Sequence, residues 1–200
     1  MKQLVIYVHG KGGNAGEATF YRPIFSGSDV TGFDYRSQTP WEAREEFPAF
    51  FEERKRGYDS VLLIANSIGA YFSMCSLSLR QVNKALFISP IVDMEKLITD
   101  MMAWARVSEE ELRAKKEIPT DFGETLSFAY LSYVRRHPAE WHVPTRILYG
   151  EKDRLTSPDT MAGFAARIGA PLTVMTGGEH WFHTEEQMAF LRDFLISSAE

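Results

Sequence analysis

Three polar residues in this 200-residue chain have the types and the order that nucleophilic chemistry needs. The apolar run 61–65 (VLLIA) leads into Asn66-Ser67-Ile68-Gly69-Ala70, where a helix-like segment begins. A serine on a sharp strand-to-helix turn holds its hydroxyl exposed at the carboxyl end of the strand. The close backbone approach there requires small residues two before and two after it, here Ala65 and Gly69. The helix start also offers the backbone N–H of Ile68 to a developing negative charge. Taken alone, Ser-x-Gly after a strand describes a helix-capping serine equally well. A serine hydroxyl needs a base, and the base an orienting acid. Asp153 follows the run 146–149 (RILY), and His180 follows the run 172–175 (LTVM). In a parallel sheet these loops open on one edge with the Ser67 turn. A fourth run, 4–8 (LVIYV), ends in His9-Gly10-Lys11-Gly12-Gly13, a glycine-rich turn able to bring a second N–H toward an acyl oxygen.

Rival assignments stand beside these. His183 is a second candidate base, though its place at the start of the last helix gives it a structural role. Asp159 is a second candidate acid, but it lies in the first turn of a helix opened by Pro158, where a carboxylate has its own reason to be. Glu179, His180 and His183 lack the second element of a H-E-x-x-H metal site, so no metal is expected. The run GKGGNAG matches neither G-x-G-x-x-G nor G-x-x-x-x-G-K-[ST], so no phosphate or dinucleotide cofactor is expected either. Cys75 reads as a small buried hydrophobe.

The elements that must position these residues are legible as runs. Besides those named, 30–35 and 85–89 (ALFIS) complete six candidate strands, and the stronger runs do not alternate polar with apolar. Continuous apolar runs suit strands covered on both faces of a parallel sheet. Helix-length segments lie between them at 41–56, with Pro48 expected to break or kink it, and at 68–81, 157–168 and 185–197. Strand–helix alternation with short connections implies a doubly wound α/β sheet. The interval 91–143 breaks that rhythm, being roughly fifty residues where a connection usually takes a few. Its pattern is helical: Leu97, Ile98, Met101, Met102 and Trp104 in 94–106, a capping signature at Ser108–Glu111, and a third segment over 124–136. The expectation is one domain, 1–200, with 91–143 as a helical cap inserted over one end of the sheet.

On the residues His9-Gly10, the turn around Ser67, Asp153 in GEKDRLTSP and His180 in GGEHWF, the chain resembles the α/β-hydrolase family over nearly its whole length outside the interval. The resemblance implies an α/β-hydrolase fold with a compact, mostly parallel sheet of about six strands and helices on both faces. It also implies Ser67 as nucleophile, His180 as general base, Asp153 as its orienting acid, and an oxyanion hole from the N–H groups of Ile68 and Lys11. Ala65 stands where the family's G-x-S-x-G turn has its first glycine, a departure that touches turn geometry more than chemistry.

Composition narrows the remainder. Lys plus Arg is 22 against 27 Asp plus Glu, a net charge of −5 that argues against a nucleic-acid binder relying on phosphate neutralisation. A single cysteine makes no internal disulfide. No run reaches a membrane span and the first apolar run is short for a signal peptide, so a cytoplasmic protein is expected. The expected activity is cofactor-independent cleavage of a small to medium carboxylic ester or thioester through an acyl-enzyme on Ser67. An amidase, a carbon–carbon bond hydrolase, or a non-catalytic ligand-binding protein of the same fold are the alternatives. Oligomeric state is not readable from the chain.

Overall fold

A computed structural model describes residues 2–199. In chain order the strands are β1 (Gln3–Val8), β2 (Asp29–Phe33), β3 (Ser60–Asn66), β4 (Lys84–Ile88), β5 (Glu117–Pro119), β6 (Thr125–Ser127), β7 (Thr145–Gly150) and β8 (Leu172–Met175). The helices are α1 (Pro40–Arg54), α2 (Ser67–Ser76), α3 (Met94–Trp104), α4 (Glu109–Lys115), α5 (Phe128–Arg136), α6 (Pro158–Ile168) and α7 (Glu185–Ala199), with a short 3-10 helix at Ala15–Phe20. The chain divides into two compact units, Met1–Val92 with Glu140–Glu200, and Asp93–Ala139.

The larger unit is built on one six-stranded sheet in the order β2-β1-β3-β4-β7-β8, with every neighbouring pair parallel. Its unalternating apolar runs follow from burial on both faces. Because strand side chains alternate, Val5, Tyr7, Leu62, Ile64, Leu86, Ile88 and Leu148 share one face. They pack there with Tyr21, Phe25 and the α7 residues Leu191, Phe194 and Leu195. The intervening Ile6, Leu63, Ala85, Phe87 and Ile147 are equally buried on the other face. On that side α2 lies against Val8 through Gly69, and α1 packs on α2 in an aromatic cluster of Phe33, Phe47, Phe50, Phe51 and Phe72.

Two helix boundaries differ from the sequence expectation. Pro48 does not interrupt α1, which runs unbroken from a Thr39/Glu42 capping box to Arg54. Proline removes one helical hydrogen bond, but Phe47 and Phe51 beside it are fully buried, and their packing outweighs that loss. Helix α2 stops at Ser76 rather than continuing to 81. Leu77 turns extended, and Gln81 accepts hydrogen bonds from the backbone and hydroxyl of Ser78 in a separate turn.

The smaller unit holds α3, α4 and α5 together with an antiparallel pair, β5 and β6, in a stretch expected to be wholly helical. Residues 125–127 pair with 117–119 across a turn in which Gly123 has φ +84° and Thr120 bonds the backbone of residue 124. Ser127 then caps α5 by accepting from the Tyr130 N–H. Leu112, Leu126, Leu131 and Val134 are buried. Outside them, Arg135 bridges Glu95 and Glu109 at 2.7 and 2.9 Å.

Candidate active site

Strands β1, β3, β7 and β8 run parallel, so the turns after Val8, Asn66, Gly150 and Met175 all leave the same edge of the sheet. Ser67 begins α2 directly from β3 and takes φ +49°, a left-handed conformation uncommon for a residue with a Cβ. The turn is tight because α2 is pressed onto β1. A Cβ on Gly69 would sit 2.3 Å from the His9 carbonyl oxygen, so only glycine fits two residues after the serine. Ala65, two residues before, is fully buried.

A continuous set of hydrogen bonds starts at this serine. Ser67 Oγ lies 2.8 Å from His180 Nε2, and His180 Nδ1 lies 2.7 Å from Asp153 Oδ2. The Asp153 side chain is inaccessible to solvent, and its other oxygen accepts from the N–H groups of Leu155 at 2.8 Å and Thr156 at 3.3 Å. A carboxylate on Nδ1 keeps the proton on that nitrogen and leaves Nε2 to accept from the serine hydroxyl. The loops carrying Asp153 and His180 are stitched together. Lys152 N–H donates to the Gly178 carbonyl at 2.7 Å, and Gly177 N–H to the Glu151 carboxylate at 2.8 Å. Gly150 permits this packing, since a Cβ there would lie 2.4 Å from the Glu179 carbonyl oxygen. Neither Gly150 nor the two amides on Asp153 was singled out from sequence. A glycine closing an apolar strand was the available signal for the first.

The remaining candidates fall elsewhere. The His183 ring stacks on Trp181, with Nδ1 donating to the Trp181 carbonyl at 2.8 Å and lying 3.7 Å from Glu179. Asp159 is in the first turn of α6 beside Pro158. His9 is buried against Tyr35, its ring centroid 4.3 Å away, and the Tyr35 hydroxyl donates to the His9 carbonyl at 3.0 Å. Ile68 is in the first turn of α2, where backbone N–H groups have no preceding helical carbonyl. Lys11 is in the turn that follows Gly10, whose Cα would direct a Cβ to 3.2 Å from that of Ser67.

Ser67 and His180 open into a cavity of about 810 Å³, within the range of small-molecule sites. Its lining residues all belong to the larger unit and include Lys11, Phe20, Ile88, Leu155, Phe182, Met188 and Leu191. Along its lining, Asn66 Nδ2 donates to the Tyr7 hydroxyl at 3.0 Å and Tyr7 donates to Glu17 at 2.5 Å, a polar string not anticipated from the sequence. Among the described residues, no group of three or more His, Cys, Asp or Glu side chains is placed to hold a metal ion. No described helix is long and apolar enough to cross a membrane.

Comparison with known proteins fits this architecture. No family model matches the chain. A Mycoplasma genitalium protein provisionally named esterase/lipase 3 is 31% identical over 75 residues, a match spanning 36% of this chain and 27% of that protein. Among solved structures, Est1E from Butyrivibrio proteoclasticus superposes with a TM-score of 0.77 at 12% identity, covering 98% of this chain and 86% of that one. The mouse alpha/beta hydrolase domain-containing protein 10 superposes with a TM-score of 0.76 at 17% identity, covering 98% and 90%. The parallel six-stranded sheet, its strand order and these superpositions agree: the chain has the α/β-hydrolase fold.

Proposed function

We propose that this protein is a serine hydrolase that cleaves a carboxylic ester or thioester of a small to medium substrate through an acyl-enzyme on Ser67. The observation that carries this reading is the unbroken series Ser67 Oγ, His180, Asp153, with its serine end in an 810 Å³ cavity. As the Ser67 oxygen attacks the carbonyl carbon, its proton passes to His180 Nε2, and Asp153 stabilises the imidazolium that forms. The carbonyl oxygen becomes an oxyanion. The N–H of Ile68, at the positive end of α2, and the N–H of Lys11 receive it. When the tetrahedral centre collapses, His180 returns the proton to the departing alcohol or thiol. Water then enters, gives its proton to Nε2, and releases the acid from Ser67 by the same steps in reverse.

The fold alone hosts many reactions, so the test is chemical. The purified protein is treated with a fluorophosphonate probe and assayed on short p-nitrophenyl esters and the matching thioesters, beside Ser67→Ala. The expected result is covalent labelling and turnover in the wild type and neither in the variant. An unlabelled wild type, or equal turnover by both proteins, refutes the reading.

A further inference from the structure

The cavity that contains Ser67 is lined by two unlike kinds of residue. Phe20, Ile88, Leu155, Phe182, Met188 and Leu191 are apolar, whereas Tyr7, Tyr21, Asn66 and Glu17 supply polar groups. Those polar groups are ordered in one direction. The Asn66 amide donates to the Tyr7 oxygen, the Tyr7 hydroxyl donates onward, and the Glu17 carboxylate is the terminal acceptor. Burial above all, with the neighbouring phenol and Glu17 adding to it, pushes the Tyr7 hydroxyl far above the ordinary tyrosine range. Burial and then the Glu17 charge do the same to Tyr21. Both phenols are therefore neutral in any physiological buffer, and Glu17 supplies the one carboxyl group among these four.

The carboxylate is also held in place. Glu17 Oε1 accepts from the Asn14 N–H at 3.3 Å in the capping box of the 3-10 helix. A Cβ on Gly13 would lie 2.8 Å from the same oxygen, so the glycine-rich turn closes directly around it. Capping explains a glutamate or a glutamine here. It does not explain a charge anchored on a buried phenol beside the turn assigned to the oxyanion, where a fixed negative charge works against the reaction. A carboxylate offers about four acceptor positions, and Asn14 and Tyr7 occupy two. Glu17 is exposed and lines the cavity, which leaves the others to water or to a ligand.

We propose that Glu17 is a specificity-determining residue that accepts a hydrogen bond from a hydroxyl or ammonium group on the substrate and disfavours substrates carrying a carboxylate there. This rests on the hydrolase reading above. The test uses methyl esters of arylacetic and 3-arylpropanoic acids bearing a para ethyl, hydroxymethyl, aminomethyl or carboxyl group, nearly equal in size. The wild type is expected to favour the aminomethyl and hydroxymethyl esters over the ethyl ester in kcat/KM at one or both chain lengths. The aminomethyl preference should reach about tenfold, the scale of a charge-assisted hydrogen bond, with the carboxyl ester last. Glu17→Gln keeps a capping acceptor but loses the charge, so the aminomethyl preference should fall about tenfold, the hydroxymethyl preference less, and the carboxyl ester should gain. A larger loss for ammonium than for hydroxyl names a cationic substrate; equal small losses name a neutral alcohol. A wild-type ratio near one, or a variant that slows every ester equally, overturns the proposal. Calorimetric affinities of Ser67→Ala and of Ser67→Ala combined with Glu17→Gln for the same esters read the preference without turnover. Failure of hydrolysis is thereby separated from failure of recognition.

Discussion

Two serines stand side by side at the carboxyl edge of the sheet. Asn66 of β3 is in register with Ile88 of β4, so the next residues, Ser67 and Ser89, leave neighbouring parallel strands together. Both take left-handed backbone, φ +49° and +43°. Only Ser67 opens a helix, lines the cavity and reaches an imidazole. Ser89 precedes Pro90, is 1% exposed, and has a buried Oγ with no partner among the described residues. Its strain has a structural use. The Ser89 N–H still donates to Leu148 as the chain leaves the sheet, and the Ile91 N–H returns to the Ser67 carbonyl at 3.2 Å. Backbone strain at a strand end is thus no mark of a nucleophile by itself. What separates the two is an imidazole within hydrogen-bonding reach and a helix N-terminus behind the hydroxyl.

The largest expected effect breaks this pair apart. Ser67→Ala should lower kcat for ester hydrolysis at least about 10⁴-fold, while Ser89→Ala should stay within a few-fold of wild type; a comparable loss in both would mean that position at the sheet edge, and not the bonded imidazole, sets the chemistry. Next comes the geometry that permits the turn. Gly69→Ala drives a methyl into the His9 carbonyl, and no rotamer relieves a backbone clash. Urea denaturation should show a loss of about 3 kcal/mol or more. A variant of wild-type stability and activity would show that α2 can slide away from β1.

A third test compares Ser67 with another nucleophilic residue type on the same helix. Cys75 is half-buried on α2, and burial pushes its thiol up to about 11. Since the thiolate is the reactive form, a rise of about two pH units cuts its population about a hundredfold at pH 8. Iodoacetamide labelling followed by mass spectrometry should therefore run about a hundredfold slower in the folded protein than in urea. The folded rate should climb about tenfold per pH unit toward pH 11. Labelling of the folded protein at the unfolded rate would mean that α2 opens readily.

Much of this was legible because a parallel sheet imposes a simple code. Continuous apolar runs mark its strands, and polar residues just past them share an edge, which is why Ser67, Asp153 and His180 could be grouped before their distances were known. The unread parts depend on contacts between distant segments. Pro48 looks like a helix breaker until Phe47 and Phe51 are seen to be buried. The 117–127 hairpin is hidden by helix-forming residues on either side, with Gly123 as its main local signal. The Asn66–Tyr7–Glu17 string needs the strand register, because tyrosine within an apolar run gives no hint of which face its hydroxyl serves. Left-handed serines have no sequence signature at all, unlike the glycines that usually fill such turns.

The smallest expected effect concerns that conformation directly. Ser89→Gly removes a Cβ from a left-handed residue, which relieves about 1 kcal/mol, and also removes a buried hydroxyl that lacks a partner, a group that costs a further 1–3 kcal/mol. Against these stand the greater freedom of glycine in the unfolded chain, about 0.5–1 kcal/mol, and the small void left behind, about 1 kcal/mol. The balance is a gain of about 1 kcal/mol, or a Tm higher by about 2–4 °C in a chain of this size, with activity kept. Ser67→Gly relieves the same backbone strain but discards the hydroxyl bonded to His180, so it should also raise Tm while abolishing turnover. If Ser89→Gly instead lowers Tm, the strain at the two strand ends is not equivalent, and the serine at 89 is held by packing that outweighs its unfavourable φ.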